Sequence, residues 1–387
     1  MRLPSMRNER GIALVVAIVA LVVVGAIVAG TFFISTTEQR TSLNVVQTTQ
    51  ALEAAEAGLS NAIAGWTSVS YTPRTDVTFP VSAALPGSNA TYQVTVSPLN
   101  TTLLLIRSTG TANGVTQTVA QAVRLNTANV NPHAAITTTE PIKFHGASFW
   151  INGNNQDPSG WTGCPPGSDQ FGIRTSSSSV GSLNKNQQTD IIGMGDTPSV
   201  VTGDASVTDA AFNDFGNITY DQLAAAATIQ FSQAQDGPYQ PAPATTGSPA
   251  VCDYASALNW GEPFRSGTVV TECQNYFPTI HAAGSLKLDG GSRGQGILLV
   301  DGGLTITGGF EFYGLVIAKG SVDLGGTGST GGKVVGALMA QDSLKVSDQS
   351  IIQGNASVQY SYCAVQKAIN GAARPTPLRG RAWTQLY

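Results

Sequence analysis

Hydrophobic and polar positions fall into three regimes along this chain, and each predicts a different kind of element. From Ile12 to Ile34 the sequence runs 23 residues without a charge. As a helix rising about 1.5 Å per residue, this run reaches far enough to cross a hydrocarbon core of about 30 Å. The pattern then turns polar with no proline or turn signal, and ends in Ala51-Leu52-Glu53-Ala54-Ala55-Glu56-Ala57-Gly58-Leu59. Ala, Leu, Glu and Gln favour helix, so one rod is predicted over 12–65, on the order of 80 Å long. Residues 12–34 would be the transmembrane half, and the rest would project beyond the surface. Leu43, Val46, Leu52, Leu59 and Ile63 recur near helical spacing as its candidate packing face.

The second regime is short and alternating. Trp66 to Asn89 is rich in Pro, Ser and Thr and predicts a connecting loop. Ala90–Ser97, Thr101–Ser108 and Val115–Leu125 then read as half-buried antiparallel strands. Residues 66–128 are thus expected to form a small antiparallel unit packed on the projecting half of the helix.

The third regime repeats. Four decamers align: TIHAAGSLKL from Thr279, ILLVDGGLTI from Ile297, LVIAKGSVDL from Leu315 and ALMAQDSLKV from Ala337, with starts 18, 18 and 22 residues apart. Each is an apolar strand, a tight turn and an apolar-x-apolar strand, and Gly296, Gly314 and Gly336 precede the last three. Such periods with glycine corners predict a parallel β-helix. A fifth copy, Ala135–Phe144, fits the template, so 129–363 is expected to be a β-helix with 146–278 as a large insertion. Within the insertion, Tyr220–Phe231 reads as a helix. Tyr362–Ala373 reads as a short helix which, with Trp383, would cap the last coil, making 364–387 a cap and tail. The expected fold class is α+β: a long N-terminal transmembrane helix with a small antiparallel sheet, then a parallel β-helix domain.

Composition sharpens this. Only 11% of the 387 residues are charged, against about 25% in ordinary soluble domains. With 43 glycines this suits a β-rich, envelope-exposed protein. A net charge of −4 without a basic stripe argues against nucleic acid as a partner. Arg2, Arg7 and Arg10 precede the apolar run, which puts the N-terminus in the cytoplasm and the remainder outside. Cys164, Cys252, Cys273 and Cys363 all lie beyond the membrane segment and form no CxxC pair. An even count in an exported domain favours two disulfides. Cys252 with Cys273 is favoured as the nearest pair, leaving Cys164 with Cys363; buried free thiols are the alternative.

The stretch Arg10-Gly11-Ile12-Ala13-Leu14-Val15-Val16, taken with Gln50-Ala51-Leu52-Glu53-Ala54-Ala55-Glu56-Ala57, resembles the N-terminal domain of PilX-type minor pilins of type IV pili. The resemblance covers residues 10–65. It implies that Met1–Gly11 is a leader cut between Gly11 and Ile12 by a prepilin peptidase. It further implies an inner-membrane anchor, and a helix whose apolar positions, among them Leu14, Val16, Leu21 and Val23, form a filament core with other pilins and minor pilins. The family's acid at the fifth mature position is replaced here by Val16. A subunit at the tip has no neighbour above whose amine needs that acid, so the substitution points to a tip or initiating position, with a role in assembly and a secondary one in adhesion. A plain single-span anchor, carrying a surface β-helix with a structural or carbohydrate-binding role, is the alternative.

Chemistry is sparse. Repeat position five reads Ala283, Asp301, Lys319, Gln341 and position nine Lys287, Thr305, Asp323, Lys345. Neither stacks acids as a polysaccharide lyase or hydrolase would, and such mixed columns read as a solvated face. His133, His145 and His281 lack metal-site spacing. Gly331-Gly332-Lys333 lacks the phosphate-loop pattern. Gly25 and Gly30 are one residue too far apart for a GxxxG contact. Phe310, Phe312 and Tyr313 read as core packing. No enzyme activity, cofactor or metal is expected.

Overall fold

The computed structural model describes residues 10–64, 66, 77–84, 87–100, 103–145, 149–325, 330–341, 351–353, 355–378 and 383–386. Helix α1, Arg10–Ala64, is continuous over 55 residues. Its outer part lies on an antiparallel sheet of β1 (Val77–Ala84), β2 (Thr91–Pro98), β3 (Leu103–Ala112) and β4 (Val115–Asn126). Asn113 and Gly114, at φ 47° and 87°, close the β3–β4 hairpin. Two left-handed residues match the twist of the paired strands. Strand β1 falls inside the predicted loop. Its Pro80 reads as a breaker, but β1 is an edge strand, where a missing N–H is tolerated, and the register slips between Phe79 and Ala83.

The predicted helix face also shifts. Leu43 and Val46 are exposed, and the sheet instead covers Ala51, Ala54, Ala55, Leu59 and Ala62. A Cβ at Gly110 of β3 would collide with the Ala51 carbonyl, and one at Gly58 with Tyr92 and Ser108. Large side chains cannot occupy so narrow a seam, and small ones can.

The remainder is built from two parallel sheets. One has 11 strands; its main path runs 200–201, 171–175, 134–138, 333–340, 311–318, 293–300, 279–282, 229–231. The other has six and runs 235–239, 286–288, 304–306, 322–324, 351–353, 143–145. The sequence repeats are in register: Ile297 pairs with Leu315 and Leu315 with Ala337, and Leu304 with Val322. Gly296, Gly314 and Gly336 form a column at φ 117°, 142° and 139°. A Cβ at each would strike the backbone of the neighbouring strand, at Pro278, Gly296 and Gly314 respectively. Only glycine fits these corners.

The strand order revises the expected insertion. Strands from within 146–278, such as Trp150–Asn152, Phe171–Thr175, Val200–Val201 and Ile229–Phe231, are themselves members of the sheet. The chain enters at 134–138, next to Lys333–Ala340, and proceeds outward through 171–175 to 200–201. It then crosses to the opposite end at 229–231 and returns through 279, 297 and 315 until 333–340 meets the entry strand. The excursion looked irregular because its strands are two to five residues long and spaced unevenly. The expected helix at Tyr220–Phe231 is accordingly a helix only over Tyr220–Ala225, followed by the strand Ile229–Phe231.

Leu298, Val300, Val316, Ala318 and Leu338 point between the sheets into one core. Ile297, Leu299, Leu315, Ile317, Ala337 and Met339 point outward, yet are buried beneath a second layer. Helix Tyr362–Ala372 supplies Val365, Ala368 and Ile369 to that layer, and the crossover supplies Phe212, Phe215, Tyr220 and Leu223. Burial on both faces explains uninterrupted runs such as LVIA. The C-terminal helix therefore covers a sheet face and not an open end. The chain beyond it returns to the first sheet, where Arg374–Pro377 and Trp383–Leu386 pair antiparallel with β4. An amphipathic helix has its apolar face satisfied by either site, and sequence could not choose between them.

Candidate functional site: an unpartnered apolar helix

Every residue from Ala13 to Val46 of α1 is exposed, including Leu14, Val16, Leu21 and Val23. Gly11 and Ile12 lie in its first turns. Leu21 is 74% and Phe33 75% exposed, values foreign to side chains of this kind in water-soluble folds. It is the single helix among the described residues long and apolar enough to cross a membrane. The hydroxyl of Thr31 bonds the Val28 carbonyl, and those of Thr36 and Thr37 bond the Phe33 carbonyl. Closing donors onto the helix's own backbone removes the cost of taking them out of water. A rod of this kind is compatible with a single-span membrane anchor. Val16 sits among exposed neighbours with no carboxylate between Arg10 and Glu38.

The rod is joined to the rest at three levels. Ala51, Ala54, Ala55, Gly58 and Ala62 form the close seam with β2 and β3. Glu53 and Glu56, in the same motif, face away and are exposed. Arg374 then donates from Nη1 to the Trp66 carbonyl at 2.6 Å, just past the helix end. Its strand neighbour is Asn126 at the end of β4, and Nη2 reaches Thr228 Oγ1 at 3.5 Å. The guanidinium thus joins the rod's exit to Thr228, just before the strand Ile229–Phe231, while the backbone of Arg374 pairs with the antiparallel sheet. Burial holds its pKa below the usual value, against the pull of Tyr276, whose buried phenol is pushed up to about 12.

The position-five column is not a solvated face. Asp301 accepts from Tyr220 Oη at 2.9 Å and lies 3.1 Å from His281 Nε2. Lys319 pairs with Asp221 at 3.3 Å, and Gln341 donates to Asp209 at 3.0 Å. Three of the four position-five side chains, Asp301, Lys319 and Gln341, anchor the crossover that carries the chain from one end of the sheets to the other, while Ala283 is exposed. Arg174 bridges Asp204 at the start of that segment. Sequence spacing showed the column but not the segment lying on it.

Cys164 bonds Cys363, and Cys252 bonds Cys273. The first pair ties the 154–170 excursion to the last helix across 199 residues. Asp157 lies near it, but both sulfurs are already joined and offer no thiolate for a metal. Glu262, wholly buried, is held by Arg293 through bonds of 2.7 and 2.6 Å and by the amides of Phe264 and Val270. This pair locks the loop stapled by Cys252–Cys273 against the strand face. Neither of its members stood out from the sequence. Phe310 and Phe312 pack with Trp260 inside the sheets, while Tyr313 stacks on Trp161 outside. His133 and His145 are exposed, and only His281 has the acid partner named above.

The residues that matter most to this site and escaped sequence reading are Gly110 and Arg374. The Ala/Gly spacing of 51–62 signals a close-packed face, but which strand supplies the space is a tertiary fact.

Comparison with known proteins bears on the rod. No curated protein matches the chain. Among solved structures, the competence-associated pilin ComZ from Thermus thermophilus aligns over 88% of this chain and 98% of its own, at 13% identity and a TM-score of 0.25. That value is too low to support an argument from shape. The apolar helix and its small-residue seam, residues 10–60, match the PilX N-terminal family. The likeness lies in the rod, which over residues 10–60 is similar to the PilX N-terminal family.

Proposed function

We propose that this chain is a minor pilin-like subunit of a type IV pilus or related secretion filament, acting in assembly at or near the tip. The observation that carries the reading is a PilX-type helix exposed along its entire inner length, from Ala13 to Val46. The cost of leaving that much apolar surface in water is removed by lipid before assembly and by neighbouring helices after it. In this account a prepilin peptidase cuts between Gly11 and Ile12, and the subunit waits in the inner membrane with its N-terminus in the cytoplasm.

We read the two in-register parallel sheets as a parallel β-helix, an outsized extracytoplasmic head. Its bulk suits an end position, where no lateral neighbour must fit beside it, and so does Val16 in place of the family's acid. Adhesion through the head is a secondary role. The reading assigns the protein no catalysis and no cofactor.

N-terminal sequencing of the protein from its native membrane tests the processing step, together with a count of surface filaments after gene deletion. An N-methylated Ile12 and a loss of filaments are expected. An intact Met1 with normal filaments would reduce the protein to a tethered surface domain.

A further inference from the structure

A cavity and an exposed indole mark the two ends of one row across the parallel strands. Arg293, Glu311, Lys333, Ser357 and Trp150 are register partners on successive strands. Phe312, Val334, Val358 and Ile151, each one residue further along, lie in the core between the sheets. Alternation therefore turns the row outward. At a strand spacing of about 4.8 Å, its four steps span about 19 Å.

At the Arg293 end is a cavity of about 340 Å³, whose walls include Gln240, Pro241, Pro243, Gly291, Ser292 and Arg293 itself. Glu262 takes up Nε and Nη2 of Arg293, and the guanidinium lies over the Phe264 ring at 4.9 Å. Nη1 has no hydrogen bond among the described residues. A buried carboxylate on one edge and a ring on one face fix this donor in advance, so a ligand orders little by binding it.

At the other end Trp150 is 42% exposed, while Trp66, Trp161 and Trp260 are buried. An exposed indole offers a large, rigid apolar face at small entropic cost. Between the ends, Lys333 pairs with Glu311 at 3.1 Å, and Glu311 also accepts from Tyr313 Oη at 2.8 Å. Both members of this pair remain partly exposed.

These groups select a class of ligand. Arg293 is answered by Glu262 and Lys333 by Glu311, so the row has no net charge with which to favour a polyanion. It presents fixed charged donors and acceptors, which make the stronger hydrogen bonds, and hydroxyls can serve as partner to both kinds. A sugar ring carries hydroxyls around its edge and C–H groups on its faces, which suits the row and the indole together. A span of about 19 Å calls for a chain of such rings.

We infer that this row is a binding track for an extended, uncharged glycan, with one end of the glycan in the cavity at Arg293 and a ring further along stacked on Trp150. The inference rests on the reading of the head as an extracytoplasmic display, and it deepens the adhesive role by naming the ligand class.

The test is titration calorimetry on purified full-length protein in a detergent without a sugar headgroup. The probes are maltohexaose, cellohexaose and chitohexaose, each beside its trisaccharide. At least one hexasaccharide should bind about tenfold tighter than its trisaccharide, which cannot reach from the cavity to the indole. Trp150→Ala should weaken that hexasaccharide about tenfold, and Trp150→Phe should recover most of the loss. A Cβ on Gly291 would meet open space, so Gly291→Leu fills the cavity without strain and should also weaken binding about tenfold. Absence of binding by all three hexasaccharides, equal affinity for the two lengths, or unchanged affinity in both variants overturns the track. Tighter binding of hexagalacturonate than of any uncharged probe overturns the ligand class. None of these results bears on the pilin reading, which fails separately on an intact Met1 with normal filaments.

Discussion

Two regions of this protein are written in nearly the same alphabet and end in opposite environments. Ala13–Val24 is Val, Ile, Leu and Ala with every side chain exposed, whereas Leu315–Ala318 is Leu, Val, Ile and Ala with every side chain buried. The strands are covered twice, by the facing sheet and by a layer of helices. The rod is exposed through Val46 and first becomes half-buried in its own chain at Gln47. Hydrophobicity alone therefore does not say where a segment goes. What decides is whether the chain itself supplies a complementary surface, and a helix that lacks one has its partner elsewhere.

The comparison can be broken most forcefully at the glycine column. Gly314→Val places a side chain at φ 142° against the Gly296 backbone, so loss of the folded head is expected, on the order of 4 kcal/mol or more. Thermal unfolding of the full chain in detergent followed by circular dichroism would read it, and a melting temperature within 2 °C of the parent would refute the corner assignment.

A matched pair sharpens the contrast itself. Leu298→Ala removes a fully buried side chain and should cost about 2–5 kcal/mol. Leu21→Ala changes an exposed one and should leave unfolding of the head unaltered while weakening retention in the membrane fraction. Equal effects on head stability would show that the rod packs on the head.

Removing the long clasp comes next. Cys164→Ala with Cys363→Ala should lower stability by about 2–4 kcal/mol through the 199-residue loop it closes, seen as a fall in denaturant midpoint that reductant does not deepen. The smallest effect is electrostatic. Burial pulls the Asp204 carboxyl upward, but bonds from Ser206 and Arg174 outweigh it and hold the pKa below the ordinary carboxylate value. A lowered folded pKa means a contribution present above the unfolded value of about 3.9 and lost as pH falls below it. Asp204→Asn should accordingly reduce stability at neutral pH and make little difference near pH 2, the two proteins converging as acid is added.

Sequence alone determined the local and periodic features. An uncharged run of 23 residues makes a helix long and apolar enough to span a membrane, and its junction with Ala51–Leu59 needs no distant contact to be helical. The repeats at 18 and 22 residues fixed the parallel register, because each glycine corner must stack on the next. The nearest cysteines found each other for the simple reason of chain distance. Tertiary structure alone decided how the laps join. That 134–138 lies beside 333–340, that the crossover is gripped by Asp301, Lys319 and Gln341, and that Arg374 returns to the rod are pairings between residues 81 to 308 positions apart. Two-residue strands and single hydrogen bonds leave no period in a sequence, so these contacts could be read only once the chain had closed on itself.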